Sequence, residues 1–286
     1  MIKNKLKILL GLIKFRLSLM VAFSALAGYF LAASASLFSS LIVFIGVFFM
    51  AGGSCALNQY QEKNYDAKMP RTRNRPIPSG NIKAGDALLI SVLFILFGYI
   101  LLLTTGKLPA ILGIINVILY NFIYTPLKTK TSFAILPGAL VGAVPPIIGW
   151  TSAGNYLFEP QIMFIAIFMF LWQMPHFWLL LISYGKEYEN AGFSSISNIM
   201  TEKQIKFMVF LWTLLTSVFI FFFPLFELSL SFVLLMLLTI LNILFILFFY
   251  RIMFGRPHKH SIRKAFVTIN SFMLLVLIIF IINLVG

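Results

Sequence analysis

Residues 38–66 read FSSLIVFIGVFFMAGGSCALNQYQEKNYD. From Phe38 to Asn58 the run is apolar and small, and about 20 such residues are enough to cross a bilayer as a helix. Out of its end come Asn58, Glu62 and Asp66, one every four residues. If the helix continues to Asp66, each step of four turns the side chain by about 40°, so the three oxygens line one face over about 12 Å. A hard divalent cation such as Mg²⁺ suits such a row, because it takes a few carboxylate or carbonyl oxygens, keeps several waters and shares a phosphate. The plainer alternative is a carboxylate pair at i, i+4 that neutralises nearby bases.

The rest of the chain repeats the apolar theme. Hydrophobic residues make up 60% of it and charged ones 10%, so most of its surface must face lipid rather than water. Spans are expected near 17–36, 38–58, 86–105, 108–124, 134–152, 161–184, 206–225, 228–250 and 265–285. The formal charge of +14 would suit nucleic acid, but its distribution argues otherwise. Every Lys and Arg except Lys107 falls before the first span or in alternate connections, as the positive-inside rule requires. That sidedness predicts a cytoplasmic N-terminus, an external C-terminus and no nucleic-acid partner. The expected architecture is all-α, a polytopic transmembrane helix bundle of about nine spans forming a single domain over residues 1–286. The Lys-rich start is read as a retained first helix rather than a cleaved leader, since no small-residue cleavage site follows it. Cys55, the single cysteine, is read as a packing residue beside Gly52 and Gly53.

Two cytoplasmic connections, 59–85 and 185–205, are longer and polar, and each follows a span that carries polar residues into its last turns: Asn58 in one, Trp172, Gln173 and His176 in the other. Their spacing hints at a duplicated helical unit. In the first, KMPRTRNRPIPSG packs Lys68, Arg71, Arg73 and Arg75 beside the acids, with Pro70, Pro76 and Pro78 breaking the helix. Guanidinium groups next to carboxylates suit a metal-bridged polyphosphate, although cytoplasmic bases are also expected from topology alone. In the second, Glu187 and Glu189 add acids on the same side, so that two clusters could hold two metals on one diphosphate. Lys128 and Lys130 read individually as orientation signals. His176, in LWQMPHFW, is either a site residue or a partner for a carbonyl freed by Pro175. Gly138 and Gly142 with Pro145 and Pro146 predict a close helix contact followed by a kink. Asp86 is expected to cap the third span, Glu159, Glu202 and Glu227 to be solvated, and His258 and His260 to be interfacial. The Phe-rich last three spans have no evident purpose beyond lipid contact.

Taken together, NQYQEKNYDAKMPRTRNRPIPSG, YTPLKTKTS, PGALVGAVPPIIGW, LWQMPHFW and EYENAG, in this order, resemble the UbiA superfamily of intramembrane prenyltransferases, and within it the protoheme IX farnesyltransferase branch. The resemblance runs from about Lys14 to Asn198. It implies a UbiA-like bundle in the plasma (inner) membrane that moves a farnesyl group from farnesyl diphosphate to protoheme IX with Mg²⁺ as cofactor, heme O then passing to an oxidase or heme-handling partner. Asn58, Glu62, Asp66 and Glu187 would be the catalytic metal-holding residues, Lys68, Arg71, Arg75, Lys128 and Lys130 would hold diphosphate, and His176 would contact the acceptor. The family usually shows Asp at positions 62 and 187, a proline where Phe15 stands, and a more proline-rich stretch at FSSISN. Three competing readings stay open at this point: a sister enzyme acting on an aromatic quinone precursor, a transporter, and a heme-binding scaffold. The transporter lacks an ionisable residue at any span centre, and the scaffold needs no row of acids.

Overall fold

A computed structural model of the chain describes residues 2–32, 36–194, 199–255 and 261–285. Among these there is no strand, and twelve α-helices follow one another: α1 (Ile2–Leu12), α2 (Phe15–Leu31), α3 (Leu37–Gln61), α4 (Lys63–Asp66), α5 (Ala84–Thr105), α6 (Lys107–Ile118), α7 (Thr125–Leu127), α8 (Ile135–Ser152), α9 (Pro160–Ala191), α10 (Glu202–Phe219), α11 (Phe232–Phe254) and α12 (Ser261–Val285). A π-helical turn, Leu119–Tyr124, joins α6 to α7. Among the described residues eight helical stretches are long and apolar enough to cross a membrane. The bent pair α1–α2, with 53° between its arms, makes a ninth if it is one span. The bend lies before the expected first span, 17–36, which α2 covers as an unbroken helix to Leu31. His258 and His260 lie outside the described residues, as do the last four residues of FSSISN.

The chain forms two compact units, Met1–Leu157 with Lys186–Ser194, and Phe158–Gly185 with Ser195–Gly286. In the first, α3 packs along α5, and α2 packs against α3 and α8. Lipid offers no hydrophobic drive for helices to associate, so close backbone approach through small residues has to hold them together. The nearest approach joins α2 to α8. A Cβ on Gly149 would lie 1.8 Å from the Ala25 carbonyl oxygen, and one on Gly28 would lie 1.9 Å from that of Pro146. The expected small-residue contact on this helix is thus real: Gly149, about two turns beyond Gly142 and three beyond Gly138, makes it with Gly28 of α2. Around it Ala22, Ala25, Tyr29, Val43, Val47 and Ile148 form a buried core.

The second unit accounts for much of the phenylalanine. Phe164 stacks on Phe219 with centroids 5.1 Å apart and also meets Phe226 and Phe280. Phe245 and Phe272 lie parallel at 3.8 Å between α11 and α12. Several of these rings are core and not lipid-facing, because broad flat side chains fill the space between helices and attract each other edge to face or offset.

Two further expectations are corrected. Asp86 does not cap its helix: the N-cap of α5 is Lys83, and Asp86 sits in the first turn, where its charge faces the positive end of the helix dipole. The helix α9 runs on to Ala191, so Trp172, Gln173 and His176 are mid-helix and Glu187 and Glu189 are helical rather than in a loop. Glu227 is exposed, and Glu202 is exposed and pairs with Lys206 at i, i+4.

Replacing Gly149 by Val should force α2 and α8 apart, at a cost of about 3 kcal/mol or more, since the atoms in the way are backbone. Thermal unfolding of the detergent-solubilised protein should show a melting temperature well below the parent's, whereas an unchanged midpoint would mean that the helices do not meet here.

Candidate active site

The first unit assembles its site from departures from regular helix. α3 ends at Gln61, and Glu62 leaves helical geometry at φ −95°, ψ 7° before α4 resumes. The helix bearing Asn58, Glu62 and Asp66 is therefore not continuous, yet the spacing of four survives. Glu62 N–H donates to the Asn58 carbonyl at 2.9 Å, and Asp66 N–H to that of Glu62 at 2.8 Å. All three residues are buried.

Each of the three side chains meets a cation delivered by a different segment. Gln59 donates to the carbonyls of Gly11 and Leu12, tying down the end of α1. Lys14, left-handed at φ 46°, then turns its ammonium onto Asn58 Oδ1 at 2.9 Å. Lys128, just past α7, pairs with Glu62. Arg75 Nη1 lies 2.7 Å from both oxygens of Asp66, whose side chain is fully buried. Burial alone would lower the Lys128 pKa, but the Glu62 carboxylate and the oxygens of Tyr124 and Tyr188 outweigh it and raise the group above its usual 10.5. A lysine raised in the fold contributes stability that is complete below its unfolded value and is lost only as pH climbs through the raised one. Lys128 is thus a fixed cation at neutral pH.

The second acid-bearing segment docks on the first. Gly192, at φ +97°, ends α9 in a Schellman turn in which Phe193 N–H donates to the Tyr188 carbonyl and Gly192 N–H to that of Glu189. The turn folds Phe193 against Tyr188, at 5.4 Å, and against Tyr65, at 4.8 Å, with the Lys128 ammonium 5.7 Å above its ring. Tyr188 accepts from Arg71 at 3.0 Å, and Ser194 N–H donates to the Lys128 carbonyl. Beside Tyr188, Glu187 keeps Oε2 buried with no hydrogen-bond partner. Lys68 and Lys130 are exposed, Lys68 lying 6.0 Å from the Tyr65 ring.

His176 belongs to the second unit. Its Nδ1 lies 3.1 Å from Asn270 Oδ1, and its ring packs against those of Trp172 and Phe266. The partner is therefore a side chain of α12 and not a carbonyl freed by Pro175. Cys55 is buried and free.

No group of three or more His, Cys, Asp or Glu side chains converges among the described residues. That agrees with the content of the row, two carboxylates and an amide. Mg²⁺ needs no all-acid cage, since it is bound through one or two carboxylates and completes its shell with water and substrate phosphate. Hard oxygens held by cationic side chains fit such an ion; Glu187, whose Oε2 is buried without a hydrogen-bond partner, does not converge with Glu62 and Asp66 into one acidic cluster.

The pattern of the UbiA prenyltransferase family matches residues 21–278. The chain belongs to that family. A protoheme IX farnesyltransferase of Christiangramia forsetii is 38% identical over 71% of this chain and 69% of its own length. Another, of Oleidesulfovibrio alaskensis, is 41% identical over 64% of this chain and 65% of its own. The UbiA fold itself is shared with a solved digeranylgeranylglyceryl phosphate synthase at a TM-score of 0.78 and 20% identity, over 98% of this chain and 99% of that one. A UbiA homolog from Archaeoglobus fulgidus bound to GPP and Mg²⁺ aligns at a TM-score of 0.70 and 13% identity, over 96% and 99% of the two chains.

Sequence reading missed Lys14 as a site residue and took it for an orientation signal. The clue was its position inside GLIKFRLSLMV, where a charge among apolar residues is costly unless something receives it. It also missed Thr125, which accepts from Asn58 Nδ2 at 3.1 Å.

Exchanging Lys128 for Met would leave the Glu62 carboxylate buried without its cation. We expect a loss of about 3 kcal/mol in stability, largely spared in Lys128→Arg. Unfolding midpoints of the two variants in metal-free buffer check this, and equal midpoints would remove the pair from the account.

Proposed function

We propose that this membrane protein, acting as one prenyltransferase domain, transfers the farnesyl group of farnesyl diphosphate to a vinyl group of protoheme IX, giving heme O and diphosphate. The observation that carries the reading is the row Asn58, Glu62 and Asp66 with a cation on each member. A buried site in which fixed cations and acidic oxygens alternate matches a ligand that is itself metal plus polyphosphate. The farnesyl length and the heme acceptor rest on the relatives named above.

In this reading Asn58, Glu62 and Asp66, with Glu187, hold Mg²⁺. The metal, when bound, draws charge from the diphosphate oxygens. Lys14, Lys128 and Arg75 release the side chains they now hold and turn to the diphosphate, joined by Arg71, Lys68 and Lys130. With six cationic side chains around it the diphosphate becomes a better leaving group, the allylic C–O bond breaks and its electron pair stays on oxygen. The electrons of the heme vinyl group then form the new C–C bond to the allylic carbon. Water adds to the cation left on the former vinyl group and loses a proton, which completes the hydroxyl of the hydroxyethylfarnesyl substituent. Tyr120 and Tyr124, stacked at 5.7 Å, and the aromatic set Tyr65, Phe193 and Tyr188 give the cation apolar walls that keep water away until the carbon–carbon bond exists. The basic loops face the cytoplasm across the plasma membrane, with the N-terminus on that side.

Membranes holding the parent chain, supplied with farnesyl diphosphate, heme and Mg²⁺, should yield a farnesylated heme by mass spectrometry. Asp66→Ala should lower its formation by about 100-fold or more, since a metal ligand and the partner of Arg75 disappear together. Diphosphate release without heme modification would move the acceptor to another class, such as a phenolic quinone precursor. Product formation independent of Mg²⁺ would remove the metal from the reading.

A further inference from the structure

Asn58 differs from the acids beside it because its two terminal atoms are not equivalent. A carboxylate can turn over and still present oxygen, but an amide that turns over presents NH₂, which repels a metal. Something must therefore fix which way the amide faces. The structure holds a chain of hydrogen bonds with that effect. The π-helical turn Leu119–Tyr124 shifts the backbone register, so that Thr125 N–H donates to the carbonyl five residues back, that of Tyr120. The Thr125 hydroxyl lies beside the same carbonyl and donates its only proton to it at 2.9 Å. Its oxygen is then left solely as an acceptor, and Asn58 Nδ2 donates to it at 3.1 Å. The NH₂ edge of Asn58 is committed to α7, and Oδ1 points the other way, to where Lys14 now stands at 2.9 Å.

The turn that presents Thr125 is itself clamped to α3. Asn121 Nδ2 donates to the Ser54 carbonyl at 3.0 Å and to Gln61 Oε1 at 3.2 Å, and Gln61 Nε2 donates to the Asn121 carbonyl at 2.9 Å. Asn121 and Thr125 are both buried, so water does not compete for these bonds.

We propose that Thr125 is a positioning residue for metal binding: through the π-turn its hydroxyl can only accept from Asn58, and it thereby locks the amide with oxygen toward the cation. This inference rests on the reading of Asn58 as a metal ligand. It predicts that the need for Thr125 exists only because residue 58 is an amide.

The test uses Mn²⁺ as a spectroscopic stand-in for Mg²⁺, added with inorganic pyrophosphate to the purified full chain, with free Mn²⁺ followed by electron paramagnetic resonance. Thr125→Val should weaken Mn²⁺ binding by about 10-fold, within the range for loss of a residue that orients a metal ligand, while Thr125→Ser should stay within about twofold of the parent. In the Asn58→Asp background, Thr125→Val should cost about twofold or less, because a carboxylate has no wrong face. In turnover, Thr125→Val should raise the Mg²⁺ concentration for half-maximal rate and leave kcat at saturating Mg²⁺ close to the parent's. Equal Mn²⁺ affinity in Thr125→Val and parent, or the same loss in both backgrounds, overturns the inference. A parent that binds no Mn²⁺ overturns the ligand reading beneath it. If Val and Ala at 125 both prevent folding while Ser does not, the hydroxyl is structural and the inference also falls.

Discussion

The site in the first unit answers to one requirement: the row of oxygens at positions 58, 62 and 66, carried inside a bundle of apolar helices, must meet positive charge. A carboxylate removed from water loses several kcal/mol of hydration even after relaxation, and it recovers this only through a close, well-oriented partner. Asn58, Glu62 and Asp66 are all buried, and the chain brings a cation to each from a different place: the break after α1, the end of α7, and the basic loop after α4. The same requirement makes the site exchangeable. A divalent cation competes with the ammonium and guanidinium groups for the oxygens, and a diphosphate competes with the oxygens for those groups. Under the proposed function, metal and diphosphate arriving together would swap partners on both sides of the row.

Close packing in unit one keeps the frame of the candidate site fixed. Gly28 and Gly149 let α2 and α8 meet backbone to backbone, and Ser91 Oγ donates to the Gly53 carbonyl at 2.9 Å to join α5 to α3. Contacts of this kind depend on shape more than on hydrophobic drive, which lipid does not supply. A frame held by shape has little freedom to drift, so charged side chains can change partners without the helices following them.

Much of this was legible in the sequence because two of its signals are strong and independent. Long apolar runs and one-sided bases define a helical membrane protein without reference to any particular residue, and the scarcity of acids made the row at 58, 62 and 66 conspicuous. What stayed hidden was whatever depends on pairing distant segments. Lys14 and Asn58 are 44 positions apart, and nothing local to either predicts their contact. The glycine contact was foreseen for the correct helix, from Gly138 and Gly142, but Gly149 was not singled out. A small residue shows where a neighbour can approach, and only the register between two helices decides where it does. The reach of α9 was underestimated because polar residues near Trp172 resemble a helix end, whereas that helix continues to Ala191 and is stopped by Gly192.

Four interruptions of regular helix lie where the chemistry is proposed. An unbroken α-helix satisfies its own backbone and lets its side chains face lipid, which is what most of this chain does. It also leaves no carbonyl or peptide direction free to build a site. The first unit departs from that regularity at the left-handed Lys14, at Glu62 between α3 and α4, in the π-turn before Thr125 and at the Gly192 cap. Each departure turns a side chain that regular geometry would have aimed elsewhere: Lys14 onto Asn58, Glu62 toward Lys128, Thr125 under the amide, Phe193 against Tyr65. Such breaks are tolerated at membrane depth only where protein replaces water as the backbone's partner. Gln59, Gln61 and Asn121 supply those bonds, which gives these uncharged amides their purpose beside a site whose charges attract more notice.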